Sequence, residues 1–194
     1  MSNVTAMREH QIRSALRDRL EAEFASEPET LIIDELGIEE GTARVDVAVV
    51  NGELHAFEIK SRYDTLSRLP AQAKAYGRVF DRVSIVVADR HADAAMAVLP
   101  KWWGVFVCDT GEAGPLALRR APRTNSAIDP FAVARLLWRD EALGALECRG
   151  LAQGLRSKPR RELWRALAGG LPLTELQTIV RDALRARRTW RADP

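Results

Sequence analysis

Apolar positions recur along this chain first with a helical and then with a strand period. From Met7 to Phe24 they return every fourth residue (Ile12, Leu16, Leu20, Phe24). This predicts an amphipathic helix, ended by Ser26-Glu27-Pro28. Thr30 to Ile38 predicts a strand. Arg44 to Val49 alternates, placing Val45, Val47 and Val49 on one face and Arg44, Asp46 and Ala48 on the other. Asn51-Gly52 marks a hairpin turn, and Leu54 to Lys60 is the return strand. A helix over Leu69–Phe80 follows, with Pro70 tolerated in its first turn. Arg82–Ala88 reads as a buried strand, Ala92–Val98 as a short helix and Gly104–Cys108 as a final strand.

The order α-β-β-β-α-β-α-β predicts an α/β fold with a mixed sheet. A connector from Leu116 to Ile128 lies among the breakers Gly114, Pro115, Pro122 and Pro130. Helices are then expected over Phe131–Glu147, Arg160–Ala168 and Leu173–Arg188, the last two separated by Gly169-Gly170-Leu171-Pro172. The expected organisation is a core over 1–114 and a basic helical region over 115–194, packed on the core or appended to it.

Composition narrows the class. The 194 residues, 46% hydrophobic and 29% charged, suit a globular chain with one main core. No apolar run approaches the ~18 residues of a membrane span. The N-terminal stretch, with Arg8, Glu9, Arg13, Arg17 and Asp18, lacks a signal-peptide core, so a cytoplasmic location is expected. Cys108 and Cys148 stand far apart and form no metal-binding spacing.

The net charge of +2 conceals an asymmetry. Residues 1–118 carry a net charge of −6 and residues 119–194 a net charge of +8, almost all of the latter from arginine. A basic half rich in planar, phosphate-matching guanidinium groups points to nucleic acid. A solvated helical surface has the same composition. Arg181, Arg185 and Arg188, on the last predicted helix, are the candidates for backbone contact.

Candidate chemistry concentrates in Arg44-Val-Asp46 through Glu58-Ile59-Lys60. Glu58 and Lys60 are two apart on a strand and share a face. Asp46 lies on the preceding strand of the same hairpin. Two converging carboxylates in a partly buried site need compensation, and hard oxygen ligands suit Mg²⁺ or Mn²⁺. Lysine could then orient a water beside the metal. Parity gives a test. A two-residue turn at Asn51-Gly52 would set Asp46 opposite Phe57, whereas a shared site requires a three-residue loop or a bulge. The alternative is a solvated Asp46.

These residues resemble the PD-(D/E)XK nuclease superfamily. Asp46 matches its first acidic position, Glu58-Ile59-Lys60 its (D/E)-x-K, and residues 7–88 its α-β-β-β-α-β core, a restriction-endonuclease-like fold. Gln72-Ala-Lys-Ala-Tyr76 is similar to the Q-x-x-x-Y pattern of RecB-like exonucleases. The string from Glu58 to Gln72, with Pro100-Lys-Trp102-Trp103-Gly104, resembles an uncharacterised bacterial and prophage-associated branch. No proline precedes Asp46. The resemblance implies a Mg²⁺- or Mn²⁺-dependent nuclease acting on nucleic acid, DNA in the first instance. It implies Asp46, Glu58 and the Ile59 carbonyl as metal ligands, with Glu9 or Glu35 as a further carboxylate. Lys60 would act at the attacking water, and Gln72 and Tyr76 would support the site.

Other residues keep two readings. Arg68 could contact phosphate or pair with Asp64. His55, opposite Glu58, reads as half-buried and structural. Trp102, Trp103, Trp138, Trp164 and Trp190 read mainly as packing. The helices flanking Gly169-Gly170 loosely resemble a helix-turn-helix. The competing functional reading is a catalytically inactive module of the same fold that binds nucleic acid or a partner.

Overall fold

A computed structural model describes residues 8–108 and 116–187. Met7, Gly114, Pro115, Arg188 and Trp190 lie outside the described residues. Helix α1 (Glu9–Glu23) leads into strands β1 (Leu31–Ile38), β2 (Ala43–Val50) and β3 (Leu54–Lys60). Then come α2 (Leu69–Tyr76), β4 (Arg82–Ala88), α3 (Ala92–Val98), β5 (Gly104–Cys108) and β6 (Ala117–Arg120). Helices α4 (Pro130–Ala134), α5 (Arg139–Glu147), α6 (Arg160–Gly170) and α7 (Leu173–Ala186) close the described chain. The predicted α/β class with a mixed sheet and C-terminal helices is the observed one.

The six strands lie in the order β1-β2-β3-β4-β5-β6. The β3–β4 and β4–β5 pairs are parallel, and the other three are antiparallel. Parallel neighbours require crossovers, which α2 and α3 supply. Each sheet face has its own apolar cluster. On one, Ile12, Leu16 and Leu20 of α1 pack with Val47, Val49, Phe57, Ile59, Val86 and Phe106. On the other, Val45, Ala48, Val50, Leu54, Ile85 and Val87 join residues of α2, α3 and α4 to α7 in one cluster. The C-terminal helices therefore share a core with the sheet rather than standing apart from it.

Three expectations need correction. Ala117–Arg120, inside the expected connector, is strand β6, which pairs antiparallel with β5 through a register shift at Val105/Phe106. Four residues are too few to show a period, and the arginines masked an edge strand. The expected helix over Phe131–Glu147 is two helices. Trp138 leaves the helical conformation (φ −68°, ψ 163°), and its N–H donates to the Glu141 carboxylate at 2.7 Å, starting α5 anew. Helix α2 ends at Tyr76 rather than Phe80, with Gly77 as its C-cap.

The buried Trp164 of α6 fills the shared core, and its indole N–H donates to the Leu137 carbonyl at 3.0 Å. Trp164→Ala should cost about 3–5 kcal/mol. Because the core is common to sheet and helices, urea unfolding followed by sheet and helix signals should remain one coincident transition. Separate transitions would show the C-terminal helices to be an independent unit.

Candidate functional site

The hairpin parity resolves in favour of convergence. Val50 pairs with Leu54 and Val47 with Phe57, so residues 51–53 form a three-residue loop. The Asn51 side-chain oxygen accepts the Glu53 N–H at 3.1 Å and tightens it. This register carries Asp46 to the level of Glu58. There the two strands part: the β2–β3 pairing ends at Val47/Phe57, while β2 continues along β1 and β3 along β4. The Asp46 carboxylate spans the opening, accepting the Ile59 N–H at 2.7 Å through Oδ2.

The simple alternation expected for β2 fails here. Val45 packs with the helical layer, whereas Val47 and Val49 pack with α1. The partner strand breaks at the same level. Asp34 pairs with Val47 and Leu36 with Val45, but Glu35 and Asp46 form no pair. Glu35 has φ +57°, a left-handed conformation that costs a non-glycine residue of order 1 kcal/mol. Both strands thus change face together at Glu35 and Asp46, so the register on either side is kept.

Glu58 and Lys60 are buried, at 2% and 5% exposure. Lys60 Nζ is ion-paired to Glu58 Oε1, and Gln72 Nε2 donates to the same oxygen at 2.5 Å. The Tyr76 hydroxyl lies 2.6 Å from Glu58 Oε2 and 2.6 Å from the Arg44 carbonyl, and with one proton it donates to one at a time. Gln72 and Tyr76 reach Glu58 because they sit one turn apart on α2. Tyr76 is fixed from behind by Trp103, whose ring stacks on it at 6.0 Å. Gln72 Oε1 is buried and has no hydrogen-bond partner among the described residues.

Electrostatics marks the same place. Burial and then the Glu58 charge push the Asp46 carboxyl up to about 6, against the Ile59 N–H, Arg13 and Lys60, which hold it down. Burial, followed by the charge of Glu58, keeps the Tyr76 phenol protonated by raising its pKa far above the ordinary value. His55, on the α1 face, stacks on Phe57 at 4.2 Å and lies 2.9 Å from the Ser84 hydroxyl. Burial and then Arg82 lower its pKa to about 3, so it is neutral and structural.

Glu9 and Glu35 both come to the edge of the site. Both hold Arg13, an α1 residue the sequence reading did not single out. Arg13 Nη2 lies 2.9 Å from Glu9 Oε1, 2.7 Å from Glu35 Oε1 and 3.3 Å from Asp46 Oδ1. Its Nη1 donates to the Asp46 carbonyl at 2.5 Å. The only sequence signal was position: Arg13 follows Ile12 of the buried stripe and lies four residues after Glu9. Among the described residues no group of three or more His, Cys, Asp or Glu is placed to hold a metal ion. The oxygen donors at hand are Asp46, Glu58 and the backbone of Ile59.

The arginines of the C-terminal helices are occupied in part. Arg185 pairs with Asp182 at 2.7 Å, Arg149 with Glu175 at 2.5 Å and Arg160 with Glu40 at 3.4 Å. Arg181 donates to the Thr178 hydroxyl at 2.9 Å. Arg188 lies outside the described residues. Arg68 makes no ion pair with Asp64. The Asp64 Oδ2 instead accepts from the Ser61 N–H at 2.8 Å and the Ser61 hydroxyl at 2.5 Å. No helix among the described residues is long and apolar enough to cross a membrane.

Residues 2–192 match the family described as bacteriophage P4 protein cII. The chain belongs to that family. Protein cII of Enterobacteria phage P4 is 26% identical over 182 residues, covering 93% of this chain and 68% of the phage protein. The expected phage association thus holds at the level of the family. Among solved structures, a protein of unknown function from Silicibacter pomeroyi aligns with a TM-score of 0.46 at 17% identity. That alignment covers 80% of this chain and all of the other.

The Asp46 shift has a sign that can be measured. Its folded pKa of about 6 lies above the ordinary 3.8, so the folded chain holds the proton more tightly than the unfolded one. That stabilisation is complete below 3.8 and is lost as pH rises through about 6. In metal-free buffer, Asp46→Asn should therefore lose part of the fall in Tm seen in the wild type across this window. Parallel Tm profiles for the two proteins would show that Asp46 does not titrate as the site geometry requires.

Proposed function

We propose that the chain is a metal-dependent nuclease of the PD-(D/E)XK type, hydrolysing phosphodiester bonds in nucleic acid, with DNA as the first substrate to test. The observation that carries this reading is the meeting of Asp46, Glu58 and Lys60 where β2 and β3 part. A merely structural hairpin has no use for two carboxylates and a lysine in so dry a place, because each buried charge is costly. The residues fit a hard divalent cation. Asp46 and Glu58 offer oxygen donors, and burial together with the Glu58 charge, which push the Asp46 carboxyl up, would both be offset by a bound cation. The buried, unpartnered Gln72 Oε1 offers an acceptor for a water in the site.

When bound, Mg²⁺ or Mn²⁺ supplies Lewis acidity towards a phosphoryl oxygen and a more acidic water. Asp46 and Glu58 are the residues to hold it, with the Ile59 carbonyl as a third donor. The Ile59 N–H fixes the Asp46 carboxylate, and Gln72 with Tyr76 fixes that of Glu58. Lys60, anchored on Glu58, sets an ammonium beside the reacting phosphate, where it offsets developing negative charge.

One observation favours a second reading, a binding module of the same fold without catalysis. Lys60 already pairs with Glu58, and Arg13, shared with Glu9 and Glu35, already reaches Asp46, so each carboxylate has a cationic side chain beside it without a metal.

The two readings separate in one experiment. With Mn²⁺ at about 100 times its Kd, the wild type should gain about 2.7 kcal/mol of stability, and Asp46→Asn should lose the gain. Lys60→Ala should keep most of the gain but cleave linear and circular DNA and RNA at least ~100-fold more slowly. Absence of both stabilisation and cleavage in the wild type would leave the binding-module reading.

A further inference from the structure

The candidate site has a neighbour that neither the motif nor the family description assigns: the loop from Ser61 to Arg68. We infer that this loop is a platform for an unpaired nucleotide, with Tyr63 stacking on its base and Arg62 and Arg68 holding the phosphates beside it. The inference rests on the nuclease reading for its substrate class. It adds that the strand presented to Lys60 is single, or opened at an end.

Tyr63 is 70% exposed, the most exposed of the large hydrophobic side chains described. It is also held in place. Ser61 donates its N–H and its hydroxyl to Asp64, the Asp64 N–H returns to the Ser61 carbonyl at 3.2 Å, and the Tyr63 N–H donates to the Ser61 hydroxyl at 3.3 Å. An aromatic ring on a hydrogen-bonded turn is displayed rather than loosely exposed. The Arg62 guanidinium lies over one side of the ring, 6.0 Å from its centroid. That contact adds positive charge beside the π-face without using a carboxylate.

Part of the C-terminal arginine set is engaged. Arg149, Arg160 and Arg185 each lie against a carboxylate, so binding a phosphate there means giving up a partner. Arg62 and Arg68 are exposed and form no ion pair among the described residues. Arg161 and Arg165 of α6 are exposed and form no ion pair among the described residues either, so position decides between them and this loop. Tyr63 follows Lys60, the last residue of β3, by three residues, a reach of at most about 11 Å. A strand whose phosphate meets Lys60 can therefore lay a neighbouring base on Tyr63. In an intact duplex each base face is covered by the next base pair, so only an unstacked or terminal base presents a face to the ring.

The test is equilibrium binding of a labelled thymidylate strand and of a blunt duplex across a salt series, with Ca²⁺ replacing Mg²⁺ to suppress cutting. Tyr63→Ala should weaken single-strand binding about 5- to 100-fold, and Tyr63→Trp should retain it. Arg62→Ala with Arg68→Ala should flatten the single-strand salt slope by about 1.4. The exposed positions should leave Tm unchanged, which each variant must show. Equal single-strand affinity in Tyr63→Ala and wild type would overturn the platform, and so would equal losses on single strand and duplex. Binding without cleavage in Mg²⁺ would remove the nuclease reading but keep the platform. No binding of either nucleic acid by the wild type would remove both.

Discussion

The hydrogen bond from the Ile59 N–H to the Asp46 carboxylate is the contact on which the site depends. It stands where the β2–β3 ladder would otherwise continue, so the two strands can separate without leaving that backbone donor empty. The separation gives Glu58 room to meet Gln72 and Tyr76 of α2 as well as Lys60. Several distant features serve this opening: the odd-length loop at 51–53, the left-handed Glu35 on β1, and Trp103, which braces Tyr76 from the β5 side. Each would be an oddity alone. Together they keep two carboxylates close enough to feel each other's charge, in a place where both are largely buried.

Much of this was legible in the sequence, for identifiable reasons. A sheet has a period of two, so the joint use of Asp46 and Glu58 already required an odd loop, and the Gln72–Tyr76 spacing already placed both on one helix face. The element order to Cys108 followed from patterns long enough to show a period. What stayed hidden depends on two segments at once. The face change at Asp46 needs its partner Glu35, and the face of Val45 depends on both. Strand β6 is too short for a pattern, and the break before α5 rests on a capping contact between Trp138 and Glu141.

Arg13 shows the limit most clearly. From the sequence, Glu9 and Glu35 are spare carboxylates near a possible cation. In the folded chain their shared occupant is a guanidinium from α1, which also meets Asp46. Similarly, the net +8 of residues 119–194 describes composition, not surface. Many of those arginines are neutralised by acids brought near by folding, some from the N-terminal half, such as Glu40 beside Arg135 and Arg160. The charge asymmetry of the chain is thus partly spent in joining the helices to the sheet.

Helix α1 is the only described helix on its face of the sheet, where Ile12, Leu16 and Leu20 supply its apolar grip. Its polar grip passes through Arg13 to Asp46, and through Arg17 to Asp34 at 2.8 Å. One lid is therefore fastened partly by the charge state of the cluster beneath it. Amide hydrogen exchange along α1 becomes a remote gauge of that cluster: a change in charge at Asp46 alters how firmly the whole helix is tied down, although only one of its residues touches the carboxylate.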